Sequence, residues 1–466
     1  MARAGAVAEM LAARGVGPGD RIALWLGDGI EQLASVFGCW SLGATFCVLP
    51  SFAGRTETER SRARVENILK ILKPKLLLQG KDFQLPDVIS GLAEAVTLDL
   101  DVLPDSPARN PLDDIDARPD EDMAFIQFTS GSTGGNARGA VVRFGQLKAN
   151  LDALVERVEL TSNDRMVSWA PLYHDMGLMA VLLPLRVGAD LVLMETDHFV
   201  RRPTAWLIAI SKFKGTVSTA PPTALRLLTR RKPADVDLSS WRYAWIGGEQ
   251  VFPSVLDGFE QHYAHAGLAK GVMQPTYGMA ETVVGTSCGI PGQPWDVQDG
   301  FISCGPLLKD MELQIIGDDG VPVEPGSVGN LQVRGPSVMS GYLGMEPFAR
   351  GSWYDTGDLG FVRNERIYIT GRVKDLLKRG AETFPASLVE AVAEDALNLR
   401  TGRAAAFANL RDDIGKEEIV LLVESPDWSE ERARDAAAAI SQEIGLQVDV
   451  IRNTRGARLP LSLIHI

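Results

Sequence analysis

The chain has 466 residues, too many for a single core at roughly 100–200 residues per domain, so we expect at least two domains. Hydrophobic residues make up 45% of the chain and charged residues 23%, a globular mixture that excludes a disordered or fibrous protein. The net charge of −13 argues against a nucleic-acid partner, because an acidic surface repels phosphate backbones.

Short apolar strands alternate with amphipathic helices at the start of the chain. The expected helices are residues 1–14, 31–42 and 62–72, and the expected strands are residues 20–26, 44–49 and 75–78. This β–α alternation predicts a mostly parallel sheet flanked by helices. The charged run 55–64 (RTETERSRAR) interleaves acids with bases, so we expect a solvated turn and helix start there. Residues 103–122 are rich in Pro, Asp and Arg and predict a surface connection.

The second half of the chain changes its pattern twice. Residues 300–334 predict an antiparallel β subdomain, with strands at 312–316 and 329–333. After Gly371 the pattern is that of a small α+β domain. Its expected elements are helix 385–394, strands 404–408 and 418–423, helix 430–444 with Ser429 as N-cap and Gly445 as its end, and strand 446–451. We therefore predict an α/β protein with a large multi-layer domain at residues 1–371 and a small mobile domain at 372–466.

The cysteines and the apolar runs bound the cellular setting. Four cysteines, Cys39, Cys47, Cys288 and Cys304, lie in apolar or glycine-rich stretches without CxxC spacing, so we expect buried free thiols. No apolar run reaches the roughly 18 residues that a membrane span needs. Charged residues interrupt the first thirteen residues, which disfavours a signal peptide. We expect a cytoplasmic protein with no integral membrane segment.

A hydroxyl- and glycine-rich loop follows the apolar strand expected at residues 124–128. Its backbone N–H groups and hydroxyls can surround an anion, and Arg138 beyond it adds a cation. The loop is not a Walker A motif, because Gly-Lys-Ser/Thr is missing. Taken alone, a polar Ser/Gly turn fits it equally well. The loop, TSGSTG, consists of Thr129, Ser130, Gly131, Ser132, Thr133 and Gly134.

Further motifs follow this loop in a fixed order. The segments are TSGSTGGNARG at 129–139, PLYHDMGL at 171–178, WIGGE at 245–249, YGMAET at 277–282, YDTGD at 354–358 and GRVKD at 371–375. Together they resemble the motifs of the adenylate-forming superfamily, which includes acyl-CoA synthetases, fatty acyl-AMP ligases, peptide-synthetase adenylation domains and luciferases. The resemblance spans roughly residues 10–460. It implies an ATP- and Mg²⁺-dependent enzyme that converts a small-molecule carboxylic acid into an acyl-AMP and pyrophosphate.

The resemblance also implies roles for individual residues in the catalytic half of the site. The loop at 129–134 would hold the β- and γ-phosphates with Arg138. Glu281 would bind Mg²⁺, a hard cation that suits a carboxylate, and Thr282 would contact the α-phosphate. His174 would lie near the substrate carboxylate and the α-phosphate, although a structural histidine remains an alternative.

Nucleoside contacts are implied for the later motifs. Tyr277 would stack on adenine and Gly248 would line it. Asp358 would accept hydrogen bonds from both ribose hydroxyls, and Arg372 would contact ribose or phosphate. Lys374 occupies the position of the hinge about which the small domain swings between two half-reactions.

The chain departs from the superfamily pattern at two places. The loop carries Arg138 where lysine is usual, and a guanidinium can still meet phosphate. The superfamily's catalytic lysine, which follows a Ser/Thr-Gly turn, has no counterpart before the chain ends in LSLIHI. We therefore expect the sequence to be truncated at both ends and residues 461–466 not to be native, since LSLIHI is also one reading frame of a transposon-end sequencing adapter.

The motif wording implies a fatty acid as the substrate and a pantetheine thiol as the acyl acceptor. PLYHDMGL, YGMAE and ISCG at 302–305 favour a fatty acyl-AMP ligase that serves an acyl carrier protein through its phosphopantetheine. The lack of a long insertion between Glu281 and Asp358 favours a fatty acyl-CoA ligase that uses coenzyme A. A non-catalytic nucleotide- or acyl-binding protein is an alternative of another class.

Overall fold

A computed structural model describes residues 2–50, 59–81, 91–103, 118–129, 137–232, 234–324, 326–379, 382–399, 402–411 and 416–454. The first sheet has the strand order β4-β3-β1-β2-β5-β6, and its neighbours are parallel except for the antiparallel pair β5–β6. Its strands are β1 (Arg21–Trp25), β2 (Thr45–Val48), β3 (Leu76–Gly80), β4 (Glu94–Leu98), β5 (Met123–Thr129) and β6 (Arg138–Arg143).

The second sheet also has six strands and is mostly parallel. Its order is β12-β11-β10-β9-β7-β8, parallel throughout except at the β11–β12 edge. Its strands are β7 (Arg165–Ser168), β8 (Asp190–Leu193), β9 (Val217–Ala220), β10 (Tyr243–Ile246), β11 (Met273–Tyr277) and β12 (Ser287–Cys288). The helices around the two sheets are α1 (Ala2–Ala12), α2 (Ile30–Ser41), α3 (Glu59–Leu72), α4 (Phe144–Val158), α5 (Asp175–Val187), α6 (Thr196–Arg201), α7 (Thr204–Phe213), α8 (Pro222–Thr229) and α9 (Pro253–Tyr263).

One core lies between the two sheets and unites them. Strand residues contribute to it alternately: in β10, Tyr243 and Trp245 face this central core, and Ala244 and Ile246 face the outer core beneath α7 to α9. Helices α1, α2, α4 and α5 supply many of its other apolar side chains. Burial on both faces explains why these strands read as nearly continuous apolar runs.

The antiparallel subdomain and the C-terminal elements follow. Strands pair as β13 (Val297–Gln298) with β14 (Phe301–Ile302), and as the sheet β15 (Glu312–Ile316), β16 (Gly329–Arg334), β17 (Tyr354–Arg363), β18 (Arg366–Arg372). The C-terminal elements are β19 (Leu376–Arg379), β20 (Glu382–Pro385), α10 (Ala386–Ala396), β21 (Ala404–Arg411), β22 (Lys416–Val423), α11 (Glu430–Ile444) and β23 (Val450–Asn453). They enclose a core of their own, from Leu377 to Ile451.

Most expected elements are confirmed, and one needs correction. The predicted antiparallel strands appear as β15 and β16, and the Ser429 hydroxyl caps α11 by accepting from the Arg432 N–H at 3.2 Å. The strand predicted at 446–451 is wrong in its first residues. Leu446 is fully buried in the small core, and β23 begins only at Val450. The domain boundary at Gly371 stays a prediction.

Several sequence expectations lie partly or wholly outside the described residues. Most of the expected surface connection, residues 104–117, is among them, as are residues 455–466 with the LSLIHI tail. All four cysteines are buried and free, as expected. Among the helices of the described ranges, none combines the length and apolar character of a membrane span.

An ion pair ties the loop before β7 to β10 and gives a test of the fold. Both Asp164 oxygens accept from Arg242, with Oδ1 2.8 Å from Nε and Oδ2 2.9 Å from Nη2, and Thr216 and the Thr161 N–H donate as well. Burial opposes ionisation, but these bonds outweigh it and lower the pKa of Asp164 to about 2.

Asp164→Asn should lower the free energy of unfolding by about 1.5–3 kcal/mol at pH 7, because it removes charge-assisted bonds. A depressed pKa stabilises the fold above the unfolded value near 4 and loses that effect as pH falls through about 2. The difference between variant and parent should therefore shrink below pH 4. Thermal unfolding across pH measures this difference. Asp190→Asn is the control, because it removes a carboxylate from an exposed ion pair, that of Asp190 with Arg165. A pH-independent difference would contradict the assignment.

Candidate active site

A cavity of about 1010 Å³ opens where the parallel strands of the second sheet end. The turns that follow β7, β9, β10 and β11 all reach it, as does the end of β5 in the first sheet. Crevices outside the carboxyl ends of parallel strands are the usual ligand sites of open α/β sheets. The topology therefore brings together four motifs that are far apart in the sequence: 171–176, 247–249, 276–281 and 354–357.

Glu281 is the buried carboxylate at the polar end of this cavity. It is 9% exposed, and its Oε1 accepts a hydrogen bond from the Tyr342 hydroxyl at 2.8 Å. Tyr342 in turn lies 3.0 Å from the Tyr354 hydroxyl. Burial raises the pKa of Glu281, and the bond from Tyr342 opposes that rise. The carboxylate therefore needs a positive partner to hold its charge.

The backbone around Glu281 is fixed by a close approach. A Cβ on Gly278 would lie 1.8 Å from the Val284 carbonyl oxygen, so glycine is required there. Val283 has φ of 71°, and the Val284 N–H donates to the Thr282 carbonyl at 2.9 Å. This three-residue turn is strained for a β-branched residue, and such strain concentrates at functional sites.

Asp358 lies beside the cavity in a second charged group. It is 4% exposed, and its two oxygens accept from the Tyr277 hydroxyl at 2.9 Å and from Arg372 Nε at 2.8 Å. Burial raises the pKa of Asp358, and both partners oppose that rise. Arg372 lines the cavity, and its side chain is 53% exposed. Each oxygen of Asp358 accepts one described bond and has a further lone pair, so the predicted ribose contact is compatible with both partners.

His174 stands at the N-terminus of α5, facing the cavity. Its Nδ1 lies 2.6 Å from Asp175 Oδ1, and both residues line the cavity. Burial disfavours the imidazolium, but Asp175 outweighs burial, so the pKa of His174 is raised. The tight entry to α5 depends on Gly177, where a Cβ would lie 2.1 Å from the Pro171 carbonyl oxygen. The structure therefore places an imidazole beside the polar end, as the motif predicts.

The ends of the predicted phosphate loop also reach the cavity. Thr129 and Arg138 are paired across the β5–β6 hairpin, and both line the cavity. Arg138 also lies over the Tyr342 ring, 5.4 Å from its centre. Gly248 lines the cavity with φ of 78°. The rest of the predicted loop and the Lys374 side chain lie outside what the structure describes, namely Ser130, Gly131, Ser132, Thr133 and Gly134 with Lys374.

Two predicted contacts need correction. The Thr282 hydroxyl is fully buried and bonds to the Met279 carbonyl and the Thr286 hydroxyl, so it does not face the cavity. Thr282 follows Glu281 in a 3₁₀ turn, where neighbouring side chains diverge by about 120°. Tyr277 is also buried. Successive side chains of a strand point to opposite faces, and the neighbours Thr276 and Gly278 line the cavity, so the Tyr277 side chain points away from it. The α-phosphate role of Thr282 and the adenine-stacking role of Tyr277 would need other conformations of these side chains and stay predictions.

The other end of the cavity is apolar. Its walls come from α4, α5, β7, β10 and the turn after Glu281. Five large side chains form most of them and are nearly or fully buried, apart from half-buried Val284: Leu154, Met166, Met179, Leu183 and Val284. This apolar channel of five side chains and the charged residues around Glu281 line one cavity, as a ligand with a polar head and an apolar body would need.

Sequence reasoning gave no role to several polar residues of the cavity, among them Arg64, Asp175, Tyr342 and Tyr354. Arg64, expected in a solvated turn, lines the cavity from α3. Its charge also acts on the His174 imidazole. Asp175 stood inside a recognised motif without a role, and Tyr354 likewise. Tyr342 lay in no recognised motif, and its contact with Tyr354 follows from tertiary packing rather than from a sequence pattern.

The residues of the site fit a Mg²⁺ ion whose remaining ligands come from a substrate. Among the described residues, no group of three His, Cys, Asp or Glu side chains could hold a metal by itself. Mg²⁺ is usually bound by one or two carboxylates together with substrate phosphates. Glu281 supplies one carboxylate at the end of the cavity that Arg138 and Thr129 reach.

Comparison with known proteins identifies the family. The AMP-binding enzyme family matches residues 1–343. Rv1013 of Mycobacterium tuberculosis, a ligase by name, is 30% identical over 96% of this chain and 88% of its own length. The medium-chain-fatty-acid–[acyl-carrier-protein] ligase JamA of Moorena producens is 26% identical over 95% of this chain and 83% of its own.

A solved structure agrees with these relatives. It comes from a study of fatty acyl-adenylate ligases of E. coli and L. pneumophila, and it superposes with a TM-score of 0.84 at 29% identity. It covers 97% of this chain, which covers 86% of that structure. The predicted fold class is thereby confirmed. The chain belongs to the AMP-binding enzyme family and is an adenylate-forming ligase.

Proposed function

We propose that the protein activates a fatty acid with ATP and transfers the acyl group to the phosphopantetheine thiol of an acyl carrier protein. The observation that carries the proposal is the lining of the cavity, in which the charged residues around Glu281 and the apolar side chains of the channel border the same space. ATP is the nucleotide that adenylate-forming enzymes use. JamA is by name a fatty-acid–carrier-protein ligase, which supports both the acid and the acceptor.

In the first half-reaction, a carboxylate oxygen of the acid attacks the α-phosphorus of ATP. The bond between that phosphorus and the bridging oxygen breaks, and pyrophosphate leaves with the electron pair. Negative charge grows on the phosphate oxygens, so donors and cations must be aimed at them in advance. Mg²⁺ held by Glu281 would neutralise part of that charge.

Other residues of the polar end would divide the remaining work. Arg138 and the loop that begins at Thr129 would bind the β- and γ-phosphates. His174, with its raised pKa, would donate to the acid or the α-phosphate. Asp358 would accept from the ribose hydroxyls through its remaining lone pairs, with Arg372 beside it to contact ribose or phosphate. Lys374 would serve as the hinge.

The apolar channel would hold the acyl chain. Burying a methylene group stabilises a complex by about 0.8 kcal/mol, which suits a channel lined by Leu, Met and Val. In the second half-reaction, the thiol would attack the acyl carbon, and AMP would leave with the carboxylate oxygen that it received. Coenzyme A is the alternative thiol, favoured by the short strands and loops that occupy residues 282–357.

Glu281→Gln should reduce pyrophosphate exchange by at least about 100-fold, because a neutral amide cannot balance a divalent cation. The thermal midpoint should change little. Glu260→Gln is the matched control. Glu260 is likewise a partly buried carboxylate that accepts a hydrogen bond, from the Gly271 N–H at 3.0 Å, but it lies away from the cavity. Equal exchange by the two variants would remove Glu281 from the site.

Leu183→Trp should narrow the apolar channel and shift the enzyme toward shorter acids. The ratio of kcat/KM for long over short acids should fall by about 10–200-fold, the range for one misfit group in an apolar pocket. Leu185→Trp is the control on the same helix, because Leu185 is 44% exposed, whereas Leu183 is 4% exposed. An unchanged ratio in Leu183→Trp would place the acyl chain elsewhere.

The acceptor is tested by offering both thiols to the same acyl-AMP. We expect acyl transfer to a phosphopantetheinylated carrier protein to exceed transfer to coenzyme A at equal concentration, measured by mass spectrometry of the thioesters. The carrier protein without its phosphopantetheine is the control. Faster transfer to coenzyme A would replace the carrier protein by coenzyme A in the proposal.

A further inference from the structure

The Tyr342 side chain donates a hydrogen bond to the Glu281 carboxylate. Tyr342 lies in a segment outside every motif recognised in the sequence. Its hydroxyl donates its one proton to Glu281 Oε1 at 2.8 Å. The Tyr354 hydroxyl, at 3.0 Å, must therefore be the donor within the tyrosine pair. The result is a directed chain from Tyr354 through Tyr342 to Glu281, in which each bond polarises the next.

The backbone fixes Tyr342 relative to the phosphate-binding hairpin. Tyr342 forms a β-bridge with Ala140, and the Leu343 N–H donates to the Gly139 carbonyl at 2.8 Å. Both partners lie on β6, directly after Arg138. The Met339 N–H also donates to the Glu281 carbonyl at 2.8 Å. The segment 339–343 is thus bonded to Glu281 on one side and to the strand of Arg138 on the other.

The Tyr342 side chain can donate throughout the working pH range. Burial and the neighbouring Glu281 carboxylate raise the pKa of Tyr342 to about 12, so the hydroxyl keeps its proton. Its ring also lies under the Arg138 guanidinium and packs edge-on against Phe348, with 6.3 Å between the ring centres. Phenylalanine at this position would keep both ring contacts and lose only the hydroxyl.

We infer that Tyr342 is a positioning residue, which orients the Glu281 carboxylate toward the cation and fixes its place relative to Arg138. The inference rests on the proposed Mg²⁺ role of Glu281. Partners that orient a metal ligand typically change metal affinity by about 10–100-fold when they are removed.

The test measures binding rather than turnover. A non-hydrolysable ATP analogue is titrated calorimetrically into the full chain, first without Mg²⁺ and then at increasing Mg²⁺ concentrations. The two readouts are the affinity without Mg²⁺ and the Mg²⁺ concentration that gives half-maximal enhancement of binding. In Tyr342→Phe this concentration should rise by about 10–100-fold. The affinity for the analogue without Mg²⁺ should change little, because Glu281 acts on the nucleotide through the cation.

Two control variants separate position from packing. Tyr368→Phe removes a comparable tyrosine–carboxylate bond, from Tyr368 to Asp296 at 2.7 Å, away from the cavity, and it should leave both readouts unchanged. Tyr354→Phe keeps the bond to Glu281 and should give an intermediate effect. A Tyr342→Phe protein that matches Tyr368→Phe in both readouts would overturn the inference. Parent protein without Mg²⁺-enhanced binding would instead overturn the proposed function.

Discussion

The site depends on the burial of one carboxylate. Glu281 is 9% exposed, and its charge is disfavoured there unless bonds or cations replace the lost water. The hydroxyl of Tyr342 replaces part of it, and a cation bridging to phosphate would replace the rest. This arrangement makes the carboxylate responsive to its ligands, because a bound metal–nucleotide complex would supply the positive charge that favours its ionised form.

The fold supplies the precision that this burial requires. Parallel strands of two sheets end at one crevice, so rigid elements carry the functional turns. The close packing of Gly278 against the Val284 carbonyl and the strained turn at Val283 fix the Glu281 backbone. The channel lined by Leu154, Met179 and Leu183 lies against the core between the sheets, so its shape is as fixed as the core itself.

The sequence predicted the fold and the motif residues because both depend on local pattern. Apolar periodicity found the alternating strands and helices, and cap residues placed α11 correctly between Ser429 and Gly445. Side-chain direction within a motif was less accessible. Thr282 turns inward because neighbours in a 3₁₀ turn diverge, and adjacency to Glu281 does not reveal this.

Contacts between distant segments could not be predicted at all. Tyr342 meets Glu281 across 61 positions of the chain, with no charge to suggest the pairing. Arg64 sits in a run whose composition is typical of a solvated helix start, and only the docking of α3 turns it to the cavity. Such contacts follow from tertiary packing, in which a neutral hydroxyl or a single arginine leaves no distinctive sequence pattern.

Adenylation makes a direct prediction about the fate of one oxygen atom. The acid is supplied with ¹⁸O in both carboxylate positions, and the products are analysed by mass spectrometry after transfer to a thiol. If the carboxylate attacks the α-phosphorus, the released AMP carries one ¹⁸O atom and the pyrophosphate carries none. Unlabelled AMP, or label in any other phosphate product, would contradict the formation of an acyl-AMP in this cavity.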